Sequence, residues 1–338
     1  MDANLLSVAN NETVREPSHD TIAKYVRKWG NSSAIALLDP ACSIFWLPGI
    51  EGFIGYRVEY GCAIAFGDPV CEEANKPNLA AAFCDYCKTN KLRLIFVTTT
   101  ETFSDWAKRH ICHSLLQIGD DLIMDPQSDP KAGSKGRILR KKENHSTQEG
   151  VTVTEYTDHN PDLEKKLEEV GFSWLKARHG PQIFLTHMHL FSDRKGKRWF
   201  YATHKNEVVG VLALDQIASK NGWLVNLLMP TKTAPNGTSE LLVLRAIEVL
   251  RKEGCTYLSF GVTPSSELGE TEGLSKGVVW FLKYIFKAIK YCFGLNNRRQ
   301  YWEKFQPHYE HSYVLFAGKR IGPREVLAIL RSLNTTVY

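Results

Sequence analysis

Asn236, Gly237 and Thr238 have the clearest chemical possibilities in this chain. They lie in the stretch Asn226 to Leu242, in which an apolar strand runs through a Pro/Gly turn into a helix start. The first N–H groups of a helix have no partner within it, so such a turn either caps its own helix or holds a carbonyl or anionic oxygen of a ligand. Two basic clusters offer a second kind of chemistry. Lys131, Lys135, Arg137, Arg140, Lys141 and Lys142 follow one another with no acidic residue between them. A run of this kind is a solvated connecting segment or a phosphate attractor, suited to a tRNA backbone or an anionic lipid head group. From Leu274 to Phe293, Lys276, Lys283, Lys287 and Lys290 fall within roughly 60° on a helical wheel. Val278, Phe281, Leu282, Ile285 and Ile289 lie opposite, and Trp280, Tyr284 and Tyr291 flank the lysines. The apolar side suits a domain core, and the lysine and aromatic side suits an anionic membrane surface.

These residues need a scaffold, and the hydrophobic pattern supplies an α/β one. With 338 residues and 43% hydrophobic content, the chain can form two domains of about 150 residues each. Apolar runs at Ala34 to Leu38, Ser43 to Leu47, Phe53 to Val58 and Cys62 to Phe66 read as strands, closed by the loop Gly67-Asp68-Pro69. A helix from Asn78 to Thr89, a strand from Leu92 to Thr99, a helix near Ser104 to His110 and a strand from Leu115 to Met124 follow. The second half has the same plan: a helix at Pro161 to Ala177, strands at Trp199 to Thr203, Val208 to Leu214 and Leu224 to Met229, a helix at Thr238 to Glu253 and a strand at Tyr257 to Gly261. Asn78 to Thr100 and Thr238 to Pro264 are alike in order: a polar cap, an apolar helix, a lysine-containing turn and a strand. The chain therefore divides into a mobile tail (1–18), a first module (19–130), a basic connecting segment (131–150) and a second module (151–338) that holds the basic amphipathic helix 274–293.

Composition narrows the setting. The net charge of +5 is mild, so basic residues matter where they cluster. Met1 to Ser18 has no basic and apolar leader pattern, and no run of apolar residues is long enough to span a bilayer, so a cytoplasmic chain is expected. On that basis the sequons at Asn31, Asn144, Asn236 and Asn334 are chance matches. Eight scattered cysteines read as buried thiols, and Cys84 and Cys87 form a lone CxxC without a second pair. His187 and His189 alternate as on one strand face with no third ligand nearby, so neither metal nor cofactor is expected.

A set of short motifs goes further. Tyr56-Arg57, Ala65-Phe-Gly-Asp-Pro-Val70, the Lys/Arg-rich segment before Glu149-Gly-Val151, Gly171-Phe-Ser-Trp-Leu175, Ala234-Pro-Asn-Gly-Thr238, Phe260-Gly-Val-Thr-Pro264 and Lys304-Phe-Gln-Pro307 occur in order from about residue 34 to 317. Together they resemble the soluble synthase domain of the phosphatidylglycerol lysyltransferase family. The resemblance implies an α/β (α+β) fold of two tandem acetyltransferase-like (GNAT) modules, each a mixed sheet flanked by helices. It also implies an activity: an aminoacyl group moves from a charged tRNA to a membrane-lipid hydroxyl in a passage between the modules. The implied partners are aminoacyl-tRNA and an anionic membrane lipid met peripherally, and the reaction calls for no cofactor.

The resemblance carries Lys304 over as a cation for the oxyanion or a tRNA phosphate, and Glu240 as the carboxylate that grips the amino group. Asn226 orients the acyl group, while Asp68, Asn236, Gly237 and Thr238 contact substrate. Lys135, Arg137, Arg140, Lys141, Lys283 and Lys287 hold tRNA or lipid phosphate, a task to which bidentate arginine is suited. Lys304 can also be read as a surface lysine, and Glu240 equally as an acid that favours the helix dipole. One stretch departs from the family. Where the lipid-modifying enzymes resemble Asp-Leu-Met-Arg, this chain has Asn226-Leu-Leu-Met229, which leaves amino acid and lipid open. Two other functions stand beside this one: a non-catalytic module that binds RNA or anionic membrane, and a CoA-dependent N-acetyltransferase. The turn at Asn236 lacks the glycine-rich pyrophosphate loop of the latter.

Overall fold

A computed structural model describes residues 17–177, 190–292 and 295–333. The tail up to Glu16, His187 and His189, Phe293 and Asn334 lie outside the described residues. The first half contains α1 (His19–Trp29), β1 (Ser43–Phe45), β2 (Gly52–Glu59), β3 (Cys62–Phe66), β4 (Val70–Cys71), α2 (Lys76–Thr89), β5 (Arg93–Thr99), α3 (Glu101–His110) and β6 (Ser114–Met124). α4 (Arg137–Gln148) links it to β7 (Thr152–Tyr156), α5 (Pro161–Ala177), β8 (Lys197–His204), β9 (Glu207–Ile217), β10 (Gly222–Pro230), α6 (Thr238–Lys252) and β11 (Leu258–Pro264). The chain ends with β12 (Thr271–Glu272), α7 (Lys276–Cys292), α8 (Leu295–Glu303), β13 (His308–Phe316) and α9 (Pro323–Ser332).

The strands form one mixed sheet flanked by helices, as the alternating pattern predicts. Its order is β1-β2-β3-β5-β13-β6-β11-β10-β9-β8-β7, with β12 beside β6 and β4 beside β2. Local chemistry explains the hairpins. Tyr60 and Gly61, at φ 48° and 68°, join β2 to β3, and Lys205 and Asn206, at φ 51° and 63°, join β8 to β9. Two consecutive residues in the left-handed region give the turn whose twist matches paired strands. Each half also has a parallel pair joined by a helix: β3 with β5 through α2, and β10 with β11 through α6. The sheet is nonetheless shared, because β13 lies between β5 and β6 of the first half, and β6 lies beside β11 of the second.

Two apolar clusters hold the helices of the parallel pairs. Phe83 of α2 packs with Tyr56 and Phe96, while Leu241, Leu242 and Leu244 of α6 pack with Phe260, Trp302 and Phe305. Full burial of such a side chain contributes roughly 2–3 kcal/mol. The stretch Ala34 to Leu38 departs from expectation, forming a 3-10 helix instead of a strand. A short apolar run carries no decisive period, and here local bonds win: Ala34 N donates to Asn31 O, Ala36 N to Ser33 O and Asp39 N to Ala36 O. The basic run in the connecting segment also takes form, since α4 buries Leu139 against the α6 cluster.

Candidate active site

The two parallel pairs differ at their carboxyl ends. β3 and β5 stay in register from Cys62 opposite Arg93 to Phe66 opposite Val97. β10 and β11 pair only at Trp223 with Leu258 and Leu224 with Ser259. Beyond that point β10 bulges between Val225 and Leu227 and follows β9 to Pro230, while β11 shifts between Ser259 and Val262 and follows β6 to Pro264. Gly261 makes the kink possible, with φ at 82°. Its N–H donates to Ser259 Oγ at 2.9 Å, and Ser259 Oγ donates to Asp121 Oδ1 at 2.6 Å. A bulge of this kind bends a strand and ends its pairing, and here it parts two strands directly before α6.

The loop after β10 delivers α6 to this parting. Gly237, at φ 97°, makes the turn, and a Cβ there would lie 2.3 Å from the Lys142 carbonyl oxygen. Lys142 Nζ also donates to Asn236 Oδ1 at 2.5 Å. α4 is thus the platform on which the turn rests. Thr238 is buried, and its hydroxyl donates to Pro235 O at 2.7 Å. The side chains of Asn236 and Thr238 therefore both serve the turn.

Glu240 and Lys304, far apart in sequence, meet at the start of α6. Lys304 Nζ donates to Glu240 Oε1 at 2.6 Å, and Ser239 Oγ donates to Oε2 at 2.9 Å. The Glu240 side chain is 5% exposed and that of Lys304 22%. Burial pushes the Glu240 carboxyl up, but the hydrogen bond and charge of Lys304 outweigh it and leave the group below its usual range. The ammonium also stands 4.1 Å from the ring centre of Tyr301. The Tyr301 hydroxyl is buried without a hydrogen-bond partner. Burial first, and then the Glu240 charge, raise its pKa. The result is a part-buried ion pair with the Tyr301 ring beside it.

Asn226 sits exposed on the bulge of β10, and its Nδ2 donates to Asp215 Oδ2 at 2.5 Å. Asp215 on β9 is buried and lies 3.7 Å from Lys197. Burial raises its pKa, against the opposing pull of Lys197 and Asn226. Met229 is fully buried among Leu167, Trp199 and Val211, so no polar chemistry arises at that position. Asp68 stands apart from the α6 site. Its carboxylate accepts from Lys76 Nζ at 3.2 Å and from Thr100 N and Oγ1 at 2.9 and 2.7 Å, so it pins the start of α3.

The basic residues divide in the same way. Lys135, Arg137 and Lys141 are exposed on or beside α4. Arg140 turns back, donating to the carbonyls of Lys131 and Gly133. On α7, Lys283 and Lys287 are exposed beside Trp280, Tyr284 and Tyr291, which are 72%, 69% and 87% exposed. Trp280 and Tyr284 stack with ring centres 6.3 Å apart. Lys290 leaves the expected stripe: it is buried and donates to the carbonyls of Ser265 and Ser266, anchoring α7 to the loop after β11. Among the described residues no helix is long and apolar enough to cross a membrane.

Sequence reasoning missed Asp215, Lys142 as a brace, and Tyr301. An aromatic three residues before Lys304 was the only available signal for Tyr301, and nothing near Asn226 or Asn236 points to strands or helices so distant.

Comparison with known proteins completes the picture. The family model described as phosphatidylglycerol lysyltransferase, C-terminal, matches residues 23–316. A phosphatidylglycerol lysyltransferase from Bacillus subtilis (strain 168) is 22% identical over 261 residues, which cover 76% of this chain and 30% of that protein. The chain thus spans about a third of the length of the first curated relatives it matches. The L-PGS structure from Bacillus licheniformis superposes with a TM-score of 0.79 at 18% identity, over 97% of this chain and all of that one. The C-terminal domain of a putative lysylphosphatidylglycerol synthetase from Agrobacterium fabrum gives 0.75 at 19%, over 95% and 98%. At such identities the superpositions establish the mixed α/β fold.

Proposed function

The chain belongs to the phosphatidylglycerol lysyltransferase C-terminal family, and on that premise we propose that it transfers an aminoacyl group from a charged tRNA to the hydroxyl of a membrane lipid. The observation that carries this reading is the pairing of Lys304 with the buried Glu240 at the start of α6, beside the parted ends of β10 and β11. Transfer between two oxygen esters needs little driving force. The protein must position both oxygens, stabilise the tetrahedral oxyanion and handle one proton. Lys304 and the N-terminal end of α6 supply positive potential for the oxyanion. Glu240 exchanges part of its bond to Lys304 for the amino group of the incoming aminoacyl ester. Asn226, on the bulge of β10, orients the acyl chain.

We read the chain as two tandem GNAT-like modules, 19–130 and 151–338, that exchange strands. The first closes its parallel pair and the second opens it. Lys135, Arg137 and Lys141 form a phosphate-binding face on α4, which also holds the α6 turn through Lys142. Arg140 supports that face from within. The outer face of α7 meets an anionic membrane, with Lys283 and Lys287 facing lipid phosphate and Trp280, Tyr284 and Tyr291 at the depth where amphipathic rings settle. This makes the protein a peripheral one at the cytoplasmic leaflet. Asp68 belongs to the first module and serves its framework.

The test is direct. The protein is incubated with lipid vesicles and a mixture of tRNAs charged with radiolabelled amino acids, and the organic phase is counted. Label is expected there, and lysine with phosphatidylglycerol, named by the relatives, is the first pair to try. No label with any amino acid sinks the proposal. Vesicle flotation without turnover would instead favour a binding module.

A further inference from the structure

A second polar cluster stands at the same end of the central strands as Glu240. Thr263, near the carboxyl end of β11, pairs with Asp120 of β6, which pairs with His311 of β13. Because β10 and β11 run parallel, this row and the start of α6 share one end of the pair. α8 and the residue after it link the two clusters, with Arg299 reaching Asp120 and Lys304 reaching Glu240.

The cluster has the form of an anchored imidazole. Asp120 is 5% exposed, whereas the His311 side chain is 47% exposed. His311 Nδ1 lies 2.8 Å from Asp120 Oδ1, and Arg299 donates to Oδ2 at 2.7 Å. Arg299 also meets Glu303 at 3.1 Å and the Pro264 carbonyl at 3.4 Å, and lies 4.9 Å from the Tyr309 ring centre. The Gln117 Nε2 atom lies 2.9 Å from the same Nδ1. An ionised oxygen at 2.8 Å from Nδ1 requires the proton there, since two lone pairs would repel. Gln117 can then turn its amide oxygen toward that proton, giving up the 3.3 Å bond that this oxygen accepts from Glu270 N. Nε2 is left as the basic nitrogen of a half-exposed ring, with no hydrogen bond among the described residues.

We propose that His311 is the proton acceptor of the transfer and that Asp120 and Arg299 are its positioning residues. This rests on the reading of the chain as a lipid aminoacyltransferase. His311 Nε2 takes the proton of the acceptor hydroxyl, and the electron pair of that O–H bond forms the new C–O bond at the ester carbonyl carbon. The carbonyl π pair moves to the oxyanion beside Lys304. Collapse breaks the C–O bond to the terminal ribose of the tRNA, whose oxygen takes the proton back from Nε2. Asp120 keeps the Nδ1 proton throughout, so the dyad ends as it began.

The experiment compares wild-type protein with His311→Ala and His311→Gln in the vesicle assay, with and without added imidazole. A general base contributes about 10²–10⁴-fold, so both variants should lose about 10²-fold or more, and imidazole should restore about tenfold to His311→Ala. Activity of either variant within about threefold of wild type, or a loss in His311→Ala that imidazole leaves untouched, overturns the proposal. Wild-type protein that labels no lipid defeats the transferase reading instead, and ¹⁵N spectra of the imidazole then decide the dyad. Nδ1–H with a bare Nε2, lost in Asp120→Asn, supports it. The reverse tautomer, or a spectrum unchanged by Asp120→Asn, overturns it.

Discussion

The parallel pair β3–β5 and the parallel pair β10–β11 share a plan and differ in their last few residues. The first is zipped to its end, and the acid that follows it, Asp68, spends both oxygens on Lys76 and Thr100. The second comes apart after two pairings, and the acid that follows it, Glu240, is held by a lysine from α8's far end. A closed ladder satisfies its backbone and has no room for a ligand. An interrupted one leaves backbone groups and a gap, which natural folds retain where something else is to be bound. The outer helices differ too. The exposed residues of α2 include Asn78, Asp85 and Lys88, whereas α7 exposes Trp280, Tyr284 and Tyr291 among lysines. One half keeps its ladder closed and its outer helix polar, and the other interrupts its ladder and exposes aromatic rings.

Substitution at the two lysines should break this comparison most sharply. Lys304→Met leaves Glu240 charged and buried, which costs about 3 kcal/mol, and on the proposed mechanism it lowers transfer roughly 10²-fold by removing the cation assigned to the oxyanion. Lys76→Met leaves Asp68 its two bonds to Thr100, so about 1–2 kcal/mol is expected, with transfer unchanged. Chemical denaturation and the vesicle assay measure both, and equal effects at the two positions would erase the distinction.

The clamp on the β11 kink gives the next effect. Asp121 is buried, and burial pushes its pKa up to about 6 against the hydrogen bonds from Ser259 and Ser32. An unfolded aspartate titrates near 4. Because the folded value is the higher one, the stabilising contribution is full below about pH 4 and is lost as pH rises to about 6. The loss amounts to about 3 kcal/mol. Denaturation of wild-type protein should show this fall, which Asp121→Asn should flatten. A slope that persists in the variant would assign it elsewhere.

The two turn glycines sharpen the same contrast at smaller scale. A Cβ on Gly237 would strike the Lys142 carbonyl at 2.3 Å, whereas one on Gly67 would meet nothing nearer than 3.7 Å. Both have positive φ, 97° and 74°. Gly67→Ala should therefore cost about 1 kcal/mol from backbone conformation alone, and Gly237→Ala about 2–3 kcal/mol. The smallest effect concerns the surface. Lys283→Glu or Lys287→Glu should weaken binding to anionic vesicles by about 1 kcal/mol each, more at low salt, without moving the melting temperature. Comparable changes at Lys88 on α2 should leave flotation unaltered.

Much of this framework is legible before folding. Cys62 to Phe66, Pro161 to Ala177 and the start of α6 at Thr238 declare themselves through period and punctuation. The ends of other elements shift by a few residues, as at α2, which begins at Lys76 instead of Asn78. What escapes is whatever depends on a distant partner. β13 opens with His308-Tyr-Glu-His, which reads as polar loop until β6 is placed beside it. The Asn236 turn looks like a possible ligand grip, but Lys142 occupies the Asn236 oxygen from another helix. Lys290 belongs to the lysine stripe on a wheel, yet two carbonyls of the loop after β11 draw it inward. The parting of β10 and β11 is a matter of register, on which composition is silent.

The position of β13 also governs the order of assembly. Residues 308–316 insert between β5 and β6, so the amino-terminal half leaves both inner edges bare until that strand has emerged from the ribosome. Contacts that span such long sequence separations form slowly, and uncovered strand edges invite pairing with other chains. A nascent or truncated polypeptide ending before His308 should thus be a client for chaperones, however complete its first half looks on paper.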